Sequence, residues 1–196
     1  MNHTIVALVD DKPGVLNRVT SLFRRRAFNI DSLTVGRTET PGISRITIVV
    51  DAEEQNIERL IAYLVKLVNV IQVFNLSSVP TVNRDLAMIK VGANAENRMH
   101  ITQIVDVFRA RIVDVTNTSF IIEITGDEEK IEGFIDVLRP WGIIEMVRTG
   151  IVTMARGTTP LYPNGNGNGH LAPSELIKDA EKTYEMRIKG EKIWPR

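Results

Sequence analysis

The sequence predicts an α+β protein in which one βαββαβ unit occurs twice, and three observations carry that expectation. Short β-branched runs alternate with amphipathic runs in the same order in both halves of the 196-residue chain. Each amphipathic run carries one narrow apolar stripe, as a helix lying on a sheet requires. A stretch with Ser77, Ser78 and Pro80 separates the halves at residues 77–83, and a segment of different composition follows the second half.

Taken in order, the first strand is Thr4-Ile5-Val6-Ala7-Leu8-Val9, too short and too β-branched for a helix. The chain turns at Asp10 and Asp11, and Pro13 with Gly14 opens a helix. Proline suits a first turn, where its missing N–H costs nothing, and glycine lets the backbone approach a neighbour closely. Val15, Val19, Leu22 and Phe23 form the buried stripe, and Arg24, Arg25 and Arg26 gather near the C-terminal end, where the macrodipole favours cations. A second strand is expected over residues 30–38, a turn at Thr40-Pro41-Gly42, and a third strand over residues 43–51 with Ile46, Ile48 and Val50 on one face. Glu53 and Glu54 start a helix with the stripe Ile57, Leu60, Ile61 and Leu64, and a fourth strand covers residues 70–76.

The second half repeats the order. A strand is expected over residues 86–91, then a helix with the stripe Ile101, Ile104, Val105 and Phe108, then strands over residues 112–116 and 120–125. Asp127 starts a helix with the stripe Ile131, Phe134, Ile135 and Leu138, Pro140 ends it, and residues 143–154 form a long strand bent at Gly150. Each unit should lay two helices on an antiparallel four-stranded sheet, which is the ferredoxin-like plan. The domains are expected at residues 1–79 and 80–157, with a tail at 158–196. Units this small leave sheet edges and faces open, so a homodimer is expected.

Composition removes several function classes. Lys plus Arg and Asp plus Glu both number 24, so no broad field points to nucleic acid or to an anionic membrane. The central strands, residues 5–9 and 43–50, hold no aromatic side chain on which an RNA base could stack. The absence of cysteine excludes disulfides, thiolate zinc sites and cysteine nucleophiles, and fits a reducing compartment. His3, His100 and His170 lack ligand spacing, so no metal site is assigned. Asn17 with Arg18 is the nearest approach to an anion-gripping catalytic pair, and it reads as helix surface, so no catalytic residue is assigned. With no apolar run of spanning length and no leader pattern, the expected location is the cytoplasm.

One corner asks for a ligand. A helix start offers unpaired N–H groups, which suit an anion. Asp11 beside it repels a simple anion but holds an ammonium, and a zwitterion satisfies both groups. The plainer reading, in which Asp11 caps the helix and Gly14 packs, stays open on spacing alone. In the tail, Asn164-Gly165-Asn166-Gly167-Asn168-Gly169 reads as a linker. A charged helical segment follows, with Ile177, Ala180, Tyr184 and Ile188 roughly on one side and Trp194 near the end. That segment reads either as solvated or as a docking stripe.

The run Asp11-Lys12-Pro13-Gly14-Val15-Leu16, with Leu22-Phe23-Arg24-Arg25-Arg26-Ala27-Phe28-Asn29-Ile30-Asp31-Ser32-Leu33-Thr34-Val35-Gly36, closely resembles the ACT domain of the acetolactate synthase small regulatory subunit family. The likeness extends through Ser44-Arg45-Ile46-Thr47-Ile48 and Lys66-Leu67-Val68-Asn69-Val70. In the second half, Phe108-Arg109-Ala110-Arg111-Ile112-Val113-Asp114-Val115 and the residues 148–157 are similar to the family's C-terminal domain. The tail is not part of the pattern.

The resemblance implies a chain without chemistry of its own. Its partner would be the large catalytic subunit, which carries thiamine diphosphate, FAD and magnesium and condenses pyruvate with pyruvate or 2-oxobutyrate in branched-chain amino acid biosynthesis. The small subunit would activate it and confer allosteric feedback inhibition by a branched-chain amino acid, usually valine. Family ACT domains pair as a homodimer, with the amino acid between the strand-one to helix-one loop of one chain and the start of strand two of the other. Carried over by position, the loop side is Asp11, Gly14, Val15 and Leu16, and the strand side is Asn29, Ile30 and Val35. One departure is Asp11, where the family commonly has asparagine. An alternative stays open: a stand-alone ACT-type sensor regulating a different partner.

Overall fold

β-branched runs form strands because their side chains pack well on a pleated surface, and the two-residue alternation decides which face each run buries. In this computed structural model, which describes residues 2–157, the elements follow the order β1 (Asn2–Asp10), α1 (Val15–Arg25), β2 (Ser32–Arg37), β3 (Ile43–Asp51), α2 (Glu54–Leu64) and β4 (Val70–Asn75). They continue with β5 (Thr81–Gly92), α3 (Arg98–Val107), β6 (Arg111–Val115), β7 (Ser119–Gly126), α4 (Glu128–Leu138), β8 (Ile143–Arg148) and β9 (Val152–Ala155). The expected tail and its stripe lie outside the described residues. The chain divides into two compact units, with Met1–Thr81 in the first and Val82–Met154 in the second.

In the first unit the strand order is β2-β3-β1-β4. β1 and β3 pair antiparallel from Asn2↔Asp51 to Asp10↔Ile43. Ile5, Ala7 and Val9 of β1 and Ile46, Ile48 and Val50 of β3 share one core with the stripes of α1 and α2, so both helices lie on one face. Ile57, Leu60 and Leu64 are buried, while Ile61 packs only partly. In the second unit the order is β6-β7-β5-β8, with β9 also pairing β5. Its core joins Ala87, Ile89 and Val91 to Ile101, Val105, Ile131, Phe134 and Leu138. Two ferredoxin-like βαββαβ units are therefore present.

Several boundaries differ from expectation for identifiable reasons. α1 begins at Val15, so Pro13 lies outside the helix and Gly14 is its N-cap. β2 is shorter than residues 30–38, yet Asp31 N donates to Val49 O at 2.9 Å and Thr38 N to Ile43 O at 3.0 Å, single bonds flanking the ladder. β5 starts at Thr81, inside the expected linker, because β9 gives its β-branched start a pairing partner. The long final strand is broken between Arg148 and Val152, around Gly150, and Thr149 there donates its N–H to Leu86 O at 2.9 Å. Asp127 caps α4 as expected, accepting from Lys130 N at 3.0 Å, and Pro140 lies in the short 3-10 turn that follows it.

The second unit also holds a buried ion network that the sequence does not announce. Asp85 is 4% exposed and accepts from Arg148 Nε at 2.9 Å and Nη2 at 2.6 Å, and Arg148 Nη1 reaches Glu132 Oε1 at 2.7 Å. Burial alone would lower the Arg148 pKa, but hydrogen bonds and charge from Asp85 and Glu132 outweigh it and raise the pKa above the ordinary arginine value. Among the described residues no helix is long and apolar enough to cross a membrane, and no set of His, Asp and Glu side chains could hold a metal ion.

Candidate effector site at the first corner

β1 delivers the chain into α1 through residues 11–14, and two attachments fix that corner. On one side Asp10 N donates to Asn69 O at 2.9 Å, and Asn69 Nδ2 donates to Asp10 Oδ2 at 2.9 Å. Arg18 Nη1 closes the set on Asn69 Oδ1 at 2.7 Å. On the other side Asp11 N donates to Gly42 O at 2.8 Å, tying the corner to the β2–β3 turn. The corner is therefore held by its backbone while its surface stays open.

Gly14 has φ +84° and ψ −7°, a left-handed conformation in which any Cβ is strained. A Cβ built there would meet nothing within 4 Å, so glycine is required by the backbone turn rather than by crowding. No side chain caps α1, and its first turn holds no acidic residue. Val15 N donates to Lys12 O at 3.4 Å, and the N–H groups that follow it in that turn have no side-chain cap and no competing carboxylate of their own, the arrangement that accepts an anion. Both parts of the plainer reading fail: Asp11 does not cap the helix, and Gly14 does not pack.

The Asp11 carboxylate turns instead to Arg37 at the end of β2, with Oδ2 3.3 Å from Nε. Arg37 is 87% exposed, so the pair is worth little by itself, about 0–1 kcal/mol, and an incoming ammonium can compete for the carboxylate. Leu16 and Val35 offer exposed apolar surface at 40% and 44%. The Val15 side chain is buried in the core and its N–H donates to Lys12 O, so Val15 offers a ligand no side-chain contact. Asn29 donates to Asp31 Oδ1 at 2.6 Å, and Ile30 packs partly against the helical-face core.

Strand direction sorts these residues into two groups. β1 and β2 are each antiparallel to β3, so they run the same way and end at the same side of the sheet. Asp11, Gly14 and Leu16 therefore share that side with Val35 and Arg37. Asn29 and Ile30 precede the start of β2 and lie at the opposite end of that strand. A single chain does not bring all seven expected residues together.

The matching corner of the second unit is tied down by side chains of its own loop. Asn94 Oδ1 accepts from Glu96 N and Asn97 N, both at 3.0 Å. Arg98 Nη2 donates to Thr116 O at 2.5 Å and to Ala93 O at 3.3 Å. The N–H groups that Asn94 takes lie ahead of α3, whose own start, like that of α1, has no side-chain cap and no acidic residue in its first turn.

Comparison with known proteins agrees with this division. Residues 5–72 match the family model described as an AHAS small subunit-like ACT domain, and residues 84–157 match the one described as the small subunit of acetolactate synthase. A probable acetolactate synthase small subunit of Archaeoglobus fulgidus is 52% identical over 157 residues, which is 80% of this chain and 98% of that relative. The chain belongs to the acetolactate synthase small-subunit family. The acetolactate synthase small subunit of Mycolicibacterium smegmatis is 49% identical over 155 residues, covering 79% of this small subunit and 91% of its own length. The crystal structure of the small subunit from Thermotoga maritima superposes with a TM-score of 0.76 at 43% identity, over 80% of this chain and 98% of that one.

Sequence reasoning missed four residues of the corner. Asp10, Arg18 and Asn69 meet only in three dimensions, and Arg37 reaches Asp11 only because two strands run parallel through a shared neighbour. No local pattern in this small subunit encodes either meeting.

Proposed function

We propose that this small subunit binds a branched-chain amino acid, valine first among them, across a symmetric pair of its N-terminal units, and so regulates the large catalytic subunit of acetolactate synthase. The observation that carries the reading is the split of the site along β2, an edge strand of its sheet. Two β2 edges pairing antiparallel about a two-fold axis put the start of one strand beside the end of the other. Asn29 and Ile30 of one chain then approach Gly14, Leu16 and Val35 of its partner, completing a pocket that neither chain has alone. The helix N–H groups take the amino acid's carboxylate, Asp11 takes its ammonium, and Leu16 and Val35 meet its branched side chain.

The energies suffice. A metabolite sensed at millimolar to micromolar levels binds with about 4–8 kcal/mol, and regulation needs about 1–3 kcal/mol of coupling. One methylene is worth about 1–3 kcal/mol in an apolar pocket, so valine is preferred over its homologues only modestly. In this reading the chain is not catalytic, and thiamine diphosphate, FAD and magnesium belong to the large subunit. Reconstitution with that subunit tests the proposal. Gly14→Asp puts a fixed carboxylate where the ligand's should sit, so valine inhibition is lost while activation of the large subunit persists; loss of both together would contradict this separation of roles.

A further inference from the structure

The outer edge of β2 carries a row of outward backbone groups with a charge at each end. β2 ends its sheet, and Thr38 N donates to Ile43 O directly opposite at 3.0 Å, so by the alternation of an antiparallel ladder Thr34 and Gly36 also turn their backbone groups to β3. The N–H and C=O groups of Leu33, Val35 and Arg37 therefore point outward. Exposed Asp31 precedes the row and Arg37, 87% exposed, closes it, about 20 Å away along the strand. Each charge has a partner close by in its own chain: Asn29 donates to Asp31, and Asp11 lies 3.3 Å from Arg37.

We propose that two copies pair along β2 with Thr34 facing the partner's Thr34 on the two-fold axis, so that Asp31 of each chain faces the partner's Arg37 and draws it away from Asp11. This rests on the paired units proposed above and adds their register. With Thr34 on the axis, Leu33 meets the partner's Val35 and their outward backbone groups bond, while opposite charges meet at both ends of the row. Moving the axis by one residue loses that match: centred on Leu33 it sets Asp31 against Val35, and centred on Val35 it sets Leu33 against Arg37 and Asp31 against Glu39. The consequence for the site is that Asp11, relieved of Arg37, is left to the ammonium of the amino acid. Asp31 thus acts on the effector corner of the chain it does not belong to.

The absence of cysteine makes the register testable. Thr34→Cys, Leu33→Cys and Val35→Cys each give the full chain a single thiol, and each folded variant is mildly oxidised. Residue 34 stands about 4.5 Å from its copy between Cα atoms, within reach of a disulfide, whereas residues 33 and 35 lie diagonally from their copies, beyond about 7 Å. Thr34→Cys should form a covalent dimer at least tenfold faster than the other two. No preference for Thr34→Cys overturns the register while a dimer in sedimentation keeps the paired units; a monomer with no bridge in any variant removes that reading as well. The ion pair is tested by sedimentation of Asp31→Asn, Arg37→Gln and the double variant. With two exposed pairs per dimer, each single change should weaken dimerisation about fivefold, and the double change no further, since the two residues of one chain are too far apart to interact. Any other pattern, additive losses included, overturns the contact between Asp31 and the partner's Arg37.

Discussion

Gly14 shows how one backbone angle sets up the site. At φ +84° with open space around the missing Cβ, alanine meets no clash but still carries left-handed strain of about 1–2 kcal/mol, partly offset by a stiffer unfolded chain. Gly14→Ala should therefore lower the melting temperature by only a few degrees and retain valine inhibition, which separates strain from the charge effect of Gly14→Asp. Asp11 makes the complementary test. Charge-assisted hydrogen bonds are about twice as strong as neutral ones, so Asp11→Asn should weaken valine binding roughly fivefold. Its effect on stability should stay within about 1 kcal/mol, because the ion pair it removes is exposed. Titration calorimetry and denaturant unfolding read the two effects separately.

At the scale of elements, the two units repeat a strained position just beyond their first helices. Ala27 after α1 has φ +56° and Arg109 after α3 has φ +52°, the conformation in which helix ends favour glycine. Arg109→Gly should stabilise the protein by about 1 kcal/mol, visible as a higher melting temperature. The Arg148–Asp85 pair joins β8 to β5, and Arg148→Met strands a buried carboxylate at a cost of about 3 kcal/mol or more. Adding Asp85→Leu should recover most of that loss. Helix stripes were readable because periodicity is local: Val15, Val19, Leu22 and Phe23 are all buried as their spacing requires. The start of β5 was not readable, because Thr81 becomes a strand only through β9, about seventy residues away in the chain. Asp85 was hidden for the same reason, its partner being 63 residues distant.

For the molecule as a whole, the sequence pointed to the corner at residues 11–16 through a glycine and a helix start, both local signals. It could not show that Asn29 and Ile30 stand at the far end of β2, since strand direction follows from pairing with β3. That separation is why the proposed pocket needs a second chain. Val35→Lys places a charge on the exposed β2 edge, the means by which natural sheets prevent edge pairing, and should shift the protein from dimer to monomer in sedimentation. The most direct test of the central claim is valine titration calorimetry on the intact chain and on Val35→Lys. Saturable heat approaching one valine per chain is expected for the dimer and none for the monomeric variant; no heat at millimolar valine, or undiminished binding by the monomer, would contradict that claim.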